Sequence, residues 1–480
     1  MTGQWTYVDV AAARIQHYIS RTPRLKGQRG ASGWLSWATD SSTVNDDVIA
    51  RSQRLCEYRA EMTPDAGEAD GRVSVRFPSG PHPEPVAEEL AGHLRSVLPA
   101  IELDAVWGSG QTYVEAYRDQ LKKQRSEVPF TSFPPPNEFP PLESCSECRA
   151  APAAATIDIH EKKGMRVCLD CRARYNDRYR RPGLAAAKPV YREELRLVRG
   201  LGRDPTRDIV QDFGDLAALG SADTNRNQIA TVYADGNAIG ALLDRVAAHG
   251  DPRLKAEISK AISAAARASL REATKKILDE KPEAPVPVIP HIVGGDDLVV
   301  SVVAERAWPF TITYLDEFQR RLAAVPNLPQ DLFKPVPPSA SAGVVFAHAK
   351  FPFRRAAELA AEQMRAAKRQ LRGAEPAIAW LDVTRDGERP PAGQTAWTLD
   401  DLSELADALT TLRTDIEPSG RASLERLVDV DRPEVSAARL REHGRRLGRD
   451  AILAPFLSGP APAERIARVA GALSLARWWR

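Results

Sequence analysis

The most constraining feature of the sequence is HIVGGDDLVVSVV, in which two apolar runs flank Gly-Gly-Asp-Asp. The runs Val286–Val293 and Leu298–Val303 are rich in β-branched residues, which favours two paired strands. The residues between them therefore predict a hairpin turn that carries two adjacent carboxylates, Asp296 and Asp297. Taken alone, the motif is equally typical of an ordinary surface turn, since Gly and Asp are favoured at such positions.

A second segment upstream, QIATVYADGNAIGALLD, predicts a strand, then a turn over Gly236–Gly240, then a helix. Backbone N–H groups at such a turn form a good cradle for a triphosphate, and the helix N-terminus adds to it. If this strand lies beside the hairpin, Asp235 meets Asp296 and Asp297. Three converging carboxylates repel one another unless divalent cations neutralise them, and Mg²⁺ prefers such oxygen ligands together with phosphates.

A third segment, SASAGVVFAHAKFPFRRAAELAAEQMRAAK, predicts a strand ending near Lys350 and a helix ending near Lys368. Either lysine can bind the β- and γ-phosphates of a nucleotide as a point charge. Each lysine alone is more typical of a solvated surface. The combined order of strand-DGN, helix, GGDD hairpin, helix, SAG strand and helix is far more specific than any one motif.

Four of the five cysteines form two CxxC pairs that are separated by 19 residues, namely Cys145, Cys148, Cys168 and Cys171. Two such pairs at this spacing predict a zinc ribbon, in which four thiolates close a tetrahedral shell around a structural Zn²⁺. His160 lies between the pairs, but its position does not make it a better ligand. Cys56 is expected to be an ordinary buried thiol.

The 480 residues are enough for about three domains, and the hydrophobic fraction of 43% predicts a folded chain. The net charge of +2 gives no bulk electrostatic support for nucleic-acid binding. No signal peptide and no apolar run of membrane-spanning length are found, so a cytoplasmic protein without membrane contact is expected. We predict domains over residues 1–130, 131–185 (proline-rich linker and ribbon), 186–390 and 391–480 (helical).

At this point the chain resembles the CRISPR polymerase family, the large subunit of type III CRISPR effector complexes. The matching segments are YADGNAIG, HIVGGDDLVV, SAGVVFAHAKFPFRRAAELAAEQMRAAK and the preceding ribbon. The segment IQHYISRTPRLKGQRGAS is similar to the first palm of that family. The resemblance covers residues 5–385. It implies an α+β protein with two ferredoxin-like palms, a zinc ribbon between them and a helical domain last.

The chain also departs from that family. Many members begin with an HD-type nuclease domain, but none of the 8 histidines is followed by Asp, so DNA cutting is not expected. Only the second palm carries GGDD, and the first is expected to be a degenerate partner that helps to hold a second nucleotide. GGDEF diguanylate cyclases share the GGD turn, but Asp297 and Leu298 stand where those enzymes have Glu and Phe, and the ribbon is foreign to them.

The resemblance implies that a 3′-hydroxyl attacks an α-phosphate with two Mg²⁺ or Mn²⁺ ions, using ATP and making cyclic oligoadenylate. Nothing in the residues themselves selects adenine. In this hypothesis Asp235 and Asp296 bridge the ions and Asp297 supports one of them. The residues expected to bind nucleotide are Gly236, Asn237, Ala238, Ile239, Gly240, Gly294, Gly295, Ser341, Lys350, Lys368 and, in the GAS turn of the first palm, Ser32.

In the main hypothesis the chain works in an RNA-guided complex, with CRISPR RNA, other type III subunits and target RNA as activator. Two alternatives remain open. One is a stand-alone cyclase without RNA, and the other is a catalytically idle RNA-binding scaffold. Arginine-rich segments at 172–207 and 439–449 would then bind RNA backbone, or else simply face solvent.

Overall fold

Two β-sheets, each belonging to its own α/β unit, organise the chain in this computed structural model. The structure describes residues 4–67, 71–127, 130–132, 143–159, 162–175, 192–221, 227–249, 251–278, 284–325, 332, 334, 336–459 and 461–479. Within these ranges, no helix has the length and apolar character needed to cross a bilayer.

The first unit is built on a five-stranded antiparallel sheet with the strand order β2-β3-β1-β4-β5. The strands are β1 (Trp5–Ala13), β2 (Glu61–Met62), β3 (Arg72–Pro78), β4 (Glu102–Gly110) and β5 (Phe130–Ser132). Val8 and Val10 of β1 pair with Val75 and Val73 of β3, and all four side chains are buried. These alternating β-branched residues explain why the segment forms a central strand.

Helices cover this sheet and connect its strands. They are α1 (Ile15–Ile19), α2 (Leu25–Ala38), α3 (Ser41–Thr43), α4 (Gln53–Glu57), α5 (Glu84–Val97), α6 (Tyr113–Ala116) and α7 (Lys122–Glu127). In α5, Val86, Leu90 and Leu94 repeat every four residues and form one buried face, which joins the apolar core of this unit.

The four-cysteine segment forms a hairpin followed by a short helix. Its elements are β6 (Ala155–Ile159), β7 (Lys162–Val167) and α8 (Leu169–Arg174). Cys168 caps α8, since its Sγ accepts a hydrogen bond from the backbone N–H of Cys171.

The ribbon docks on α1 and α2 of the first unit through buried polar groups. Asp170 accepts hydrogen bonds from the Tyr18 hydroxyl at 2.7 Å and from Arg174 at 2.8 Å. Arg174, itself fully buried, also donates to the carbonyl groups of Tyr18 and Ile19. A Cβ at Gly30 would lie 1.8 Å from the carbonyl oxygen of Arg174, so the close approach of α2 and α8 requires glycine there.

The second unit contains the predicted GGDD hairpin. Its strands and helices are α9 (Arg192–Gly200), α10 (Phe213–Ala218), β8 (Gln228–Asn237), α11 (Ile239–His249), α12 (Pro252–Ile277), β9 (Val288–Gly294), β10 (Asp297–Val303), α13 (Ala307–Ala323), β11 (Ser339–His348), α14 (Phe353–Leu371), β12 (Ala377–Asp382) and α15 (Val383–Asp386).

Both units share one topology. The second sheet has the order β13-β12-β11-β8-β10-β9, where β13 is Trp397–Thr398, and only the β11–β12 pair is parallel. Its inner order β11-β8-β10-β9 repeats the order β4-β1-β3-β2 of the first sheet. This is the ferredoxin-like arrangement of a βαββαβ unit. The predicted α+β fold with two palms, a ribbon and helices at the end is therefore confirmed.

The helices after β13 pack on the second palm. They are α16 (Leu399–Glu404), α17 (Ala406–Thr414), α18 (Pro418–Glu425), α19 (Pro433–Arg446), α20 (Asp450–Leu453) and α21 (Pro462–Ala476). The rings of Phe346 and Trp478 stack with centroids 5.0 Å apart, and Trp380 donates a hydrogen bond to Ser474. The segment predicted as a helical domain thus shares one apolar core with the second palm.

Candidate active site

Strand β8 brings Asp235 to one end of the second sheet. The strand is longer than the sequence predicts, because it runs through Gly236 and Asn237, which were expected in a turn. Buried Asn237 stays in the sheet since its amide donates hydrogen bonds to the hydroxyls of Ser339 and Ser341. The turn is reduced to Ala238, which has a φ of 57°, and α11 begins directly after it.

The GGDD motif forms the predicted tight hairpin. Gly294 pairs with Asp297, so Gly295 and Asp296 are the two central residues of the turn. Gly295 has a φ of 59°, a backbone angle that residues other than glycine rarely adopt. Type II′ hairpin turns favour glycine at this position for the same reason. The turn therefore points two consecutive carboxylates toward the end of β8.

The three predicted carboxylates come together at this edge. Leu298 pairs with Ala234, so Asp297 lies beside Asp235 and within hydrogen-bonding reach of it. Asp296 lies over Gly236, where a Cβ would be 2.6 Å from Oδ2 of Asp296. Glycine at position 236 is thus what allows the hairpin turn to approach the strand.

Mutual repulsion and burial strongly perturb the two hairpin carboxyl groups. Burial, followed by the negative charge of Asp235, raises the pKa of Asp296 to about 6. The pKa of Asp297 is raised well above its ordinary value by burial first, and then by Asp235 and Asp296. Such a cluster has a deficit of positive charge and favours cations.

Lys368 of α14 supplies one positive charge to the cluster. Its ammonium forms an ion pair with Asp235 and donates to the carbonyl oxygen of Gly236 at 2.8 Å. The sequence-based expectation that Lys368 reaches this site agrees with the geometry.

Two tyrosines adjoin the carboxylates. The Tyr233 hydroxyl donates a hydrogen bond to Oδ1 of Asp297 at 3.3 Å. Tyr314 of α13 is fully buried, and its hydroxyl has no hydrogen-bond partner within the described part of the chain. Burial and then the charges of Asp296, Asp297 and Asp235 raise the pKa of Tyr314 well above its ordinary value.

The four cysteines form a much tighter cluster than the aspartates. Across the described ranges, they are the only group of three or more ligand side chains whose donor atoms all lie within 4.8 Å of one another. Sγ of Cys148 and Sγ of Cys168 are 3.8 Å apart. The set fits a structural Zn²⁺, whereas His160 lies outside the described residues.

Some predicted nucleotide-binding residues do not reach the carboxylates. Lys350 follows the end of β11 beside Gln228, whereas Asp235 pairs with Ser341, seven residues before that end. At about 3.3 Å per residue this is roughly 23 Å away, so the predicted phosphate contact of Lys350 is wrong. The error arose because sequence does not show which end of a strand meets the site.

Both predicted serines are buried by contacts within the protein. Ser341 is fully buried and accepts a hydrogen bond from Asn237, so it supports β8. Ser32 lies in α2 rather than in a turn, and its hydroxyl donates to the carbonyl oxygen of His291 in β9. Cys56, expected to be buried, is exposed on α4.

The glycines keep the site open rather than filling it. A Cβ at Gly240, Gly294 or Gly295 would meet no heavy atom within 4 Å. Gly240 lies in the first turn of α11, which begins four residues after Asp235. Ile239 is instead buried in the core.

The first palm carries different residues at the equivalent positions. Arg72 is the first residue of β3 and pairs with Ala11, as Asp297 begins β10 beside Asp235. Alignment of the two sheets thus places Ala11, Gly71 and Arg72 where the second palm has three aspartates. The expectation of a degenerate first palm agrees with this register.

A cavity of about 600 Å³ separates the glycines of the hairpin turn from the first palm. Its lining includes the basic side chains of Arg72, Arg192, Arg196, Lys260 and Arg267. The sequence analysis missed this group, because its members come from three separate elements.

The arginine-rich segment at 172–207 is only partly described, since 176–191 lie outside the described residues. Within the described part, Arg174 is buried against Asp170, Arg192 pairs with Asp40, and Arg196 pairs with Glu193. At least three of these arginines therefore have structural partners.

The fold and the carboxylate cluster define a palm-type protein with a nucleotidyltransferase-like fold. Residues 228–374 match the family model of the Cas10/Cmr2 second palm domain. The second palm is therefore similar to the second palm of Cas10/Cmr2 proteins, and the predicted resemblance to the large subunit of type III CRISPR complexes is confirmed. No curated protein matches the sequence significantly.

Solved structures similar to this chain are Csm1 proteins. A crystal structure of a Csm1–Csm4 cassette with cA4 has a TM-score of 0.57 at 14% identity, covering 99% of this chain and 70% of that one. A cassette with one ATP has a TM-score of 0.55 with the same identity and coverage. Csm1 of T. onnurineus has a TM-score of 0.54 at 14% identity, covering 100% and 70%. At this identity the likeness shows a common fold.

Proposed function

We propose that this chain is a nucleotidyltransferase that joins nucleoside triphosphates by attack of a 3′-hydroxyl on an α-phosphate. The observation that carries the proposal is the convergence of Asp235, Asp296 and Asp297 at one edge of the second palm, with Lys368 beside them. An ordinary surface turn has no reason to pack against a second strand that carries a third carboxylate.

The carboxylates fit divalent cations. Their ligand atoms are all oxygens, which suit Mg²⁺ or Mn²⁺, and the raised pKa values of Asp296 and Asp297 reflect uncompensated negative charge. Asp235 and Asp296 would bridge two ions, and Asp297 would support one of them. When bound, such ions supply a lowered pKa at the attacking hydroxyl and neutralise the leaving pyrophosphate.

The remaining residues bind and orient the substrate. The N-terminus of α11 offers N–H groups to a triphosphate, and Gly240 leaves space for it. Lys368 is close enough to exchange its contact with Asp235 for a phosphate oxygen once cations bind there. Gly236 keeps the hairpin turn against β8, so that the carboxylates are positioned before substrate arrives.

The cavity between the palms suits a second nucleotide. Arg72 and Lys260 line it together with the hairpin glycines, and three further arginines of the lining pair with Asp40 or Glu193. A polyphosphate is a ligand that such basic side chains favour. Arg72 is well placed for this role, because it replaces a carboxylate of the active palm and is anchored to the carbonyl oxygens of Ala66 and Gly67. Two nucleotides on opposite sides of one turn are what a joining reaction requires.

We propose adenine nucleotides as substrates, a cyclic oligoadenylate as product, and a Csm4-like subunit as partner. The support is the resemblance to Csm1–Csm4 cassettes in complex with ATP and cA4. CRISPR RNA and target RNA follow from the family resemblance alone. The idle-scaffold reading is less favoured, since an idle palm has no need to keep three repelling carboxylates together.

The test replaces Asp296 and Asp297 together by Asn and measures products from each of the four nucleotides with Mg²⁺ or Mn²⁺ by mass spectrometry. Product formation should be abolished, because the cations lose charged ligands. The metal-free variant should be at least as thermally stable as the wild type, since repulsion is relieved. Asp235→Asn should also abolish product formation.

A matched control makes the same replacement by Asn at Asp46 and Asp47. This adjacent pair lies far from β8 in sequence and outside the cavity lining. This control should keep wild-type activity. Wild-type product formation by the Asp296/Asp297 variant would contradict the proposed function.

A further inference from the structure

A chain of hydrogen bonds runs from the first palm into the carboxylate cluster. The side-chain amide of Gln16 in α1 donates to the Tyr233 hydroxyl. That hydroxyl in turn donates to Oδ1 of Asp297 at 3.3 Å. Gln16 is thus a residue of the degenerate palm that lies one side chain away from an aspartate of the active palm.

Contacts at both ends of α1 fix the position of Gln16. Arg14, directly before α1, has a φ of 49° and forms an ion pair with Glu102 of β4, which sets where the helix begins. The hydroxyl of Ser20 donates to the carbonyl oxygen of Gln16 at 2.7 Å and closes the helix. Tyr18 of the same short helix is held by the ribbon through Asp170.

When Asp297 is ionised, as a cation ligand is, the order of donors and acceptors has one direction. A phenol carries a single proton, so a hydroxyl that accepts from the Gln16 amide directs its own proton to Asp297. The Tyr233 ring is itself nearly buried, in a cluster that includes Leu25 of the first palm.

We propose that Gln16 and Tyr233 are positioning residues that orient the Asp297 carboxylate for cation binding. The cation site of the second palm then depends on the docking of the first. This inference rests on the proposed function, because it assumes that Asp297 is a cation ligand. Hydrogen-bonded partners of metal-binding carboxylates and imidazoles commonly matter about 10- to 100-fold for metal affinity or activity.

The experiment measures Mn²⁺ binding without nucleotide, by electron paramagnetic resonance of free Mn²⁺ during titration of the full chain with MnCl₂. Tyr233→Phe and Gln16→Leu should each weaken binding about tenfold. The double variant should bind no more weakly than Tyr233→Phe alone, because Gln16 acts only through the phenol. Melting temperatures without metal show that each variant folds; Gln16 is half-buried, so its replacement is the milder one.

The matched control is His17→Leu. His17 is the next residue of α1 and contacts Arg354 of the second palm at 3.3 Å, but it is outside the chain of hydrogen bonds. It should bind Mn²⁺ like the wild type. Unchanged affinity in Gln16→Leu and Tyr233→Phe, additive losses in the double variant, or an equal loss in His17→Leu would each overturn the proposal.

Different results of the same experiment would contradict the proposed function and the positioning role. Mn²⁺ binding that persists in the Asp296→Asn/Asp297→Asn variant, or is absent from the wild type, would remove the cation site and the positioning role with it. A wild type that binds Mn²⁺, a double Asn variant that does not, and unaffected Gln16 and Tyr233 variants would remove the positioning role alone.

Discussion

A Cβ atom on Gly236 would lie 2.4 Å from Cγ1 of Ile239 and 2.6 Å from Oδ2 of Asp296. Both distances are shorter than any non-bonded contact, so one neighbour would have to move. Ile239 is buried in the core, whereas Asp296 is in a turn. We therefore expect the carboxylate of Asp296 to be displaced before Ile239.

Gly236→Ala should lower product formation about tenfold or more, because small displacements of reacting groups are costly. Overpacking should also lower the free energy of unfolding by about 1–3 kcal/mol. Steady-state rates and thermal melts measure both effects. Gly92→Ala in α5 is the control: its Cβ meets nothing within 4 Å, so it should gain about 0.5–1 kcal/mol with unchanged activity. A fully active Gly236→Ala would show that Asp296 needs no close approach.

At the residue scale, local chemistry was predictable and long-range placement was not. GGDD and the two CxxC pairs were recognised because their spacing alone implies a turn or a metal shell. Asn237 was misassigned to a turn because its partners, Ser339 and Ser341, lie about a hundred residues away. Tyr233 could have been predicted as a neighbour of the site, since it lies two residues before Asp235 and residues two apart in a strand share one face.

At the scale of elements, the ribbon helix α8 packs against α1 and α2 and holds them in place. Asp170 and Arg174 are buried against the first palm; Asp170 lies between Cys168 and Cys171, and Arg174 lies three residues after Cys171. Because binding energy is folding energy in such sites, the cluster should control more than its own hairpin.

We expect about one zinc per chain, lost when Cys145 and Cys168 are replaced by Ser. Without it, amide hydrogen exchange should increase in α1 and α2 as well as in the ribbon, since Asp170 no longer holds Tyr18. Metal analysis and exchange mass spectrometry measure the two effects. Exposed Cys56→Ser should change neither. Purified protein without zinc, or exchange confined to the ribbon, would contradict this prediction.

Strands and helices themselves followed well from the sequence, because β3 has alternating valines and α5 has an apolar residue every four positions. The ribbon's docking did not follow, since no local pattern marks Gly30 as the point where another helix crosses. Whether the second palm and the last helices form separate cores was also not predictable. Trp380 and Trp478 look like any buried aromatic residues in sequence.

At the scale of the whole molecule, Lys255 of α12 joins the two palms. Its ammonium lies over the rings of Tyr113 and Tyr117 in the first palm, at 4.5 and 4.1 Å from their centroids. The charges of Arg72 and Arg125 lower the pKa of Lys255. The charge of Asp9, which pairs with Arg125 at 2.9 Å, raises it. Burial is the largest cause, and it lowers the pKa of Lys255 to about 7 from its ordinary 10.5.

The sign of the pH effect follows from linkage. Between pH 7 and 10.5 the unfolded chain carries the proton on Lys255 and the folded chain does not, so stability rises with pH in that window. Lys255→Met should therefore raise the melting temperature at pH 6 by roughly 2–6 °C and have little effect near pH 10. Exposed Lys275→Met, on the same helix, should show no such pH dependence. An equal effect of Lys255→Met at both pH values would contradict the lowered pKa.

The docking of α2 has a consequence for how the chain is made. Arg29 of α2 forms its buried ion pair with Glu194, 165 residues later, and Gly30 meets Arg174. At about 5–20 residues per second, Glu194 is added roughly 8–33 s after Arg29. The unit that contains α2 is therefore synthesised well before the residues that complete its packing, and it cannot finish folding until they have emerged.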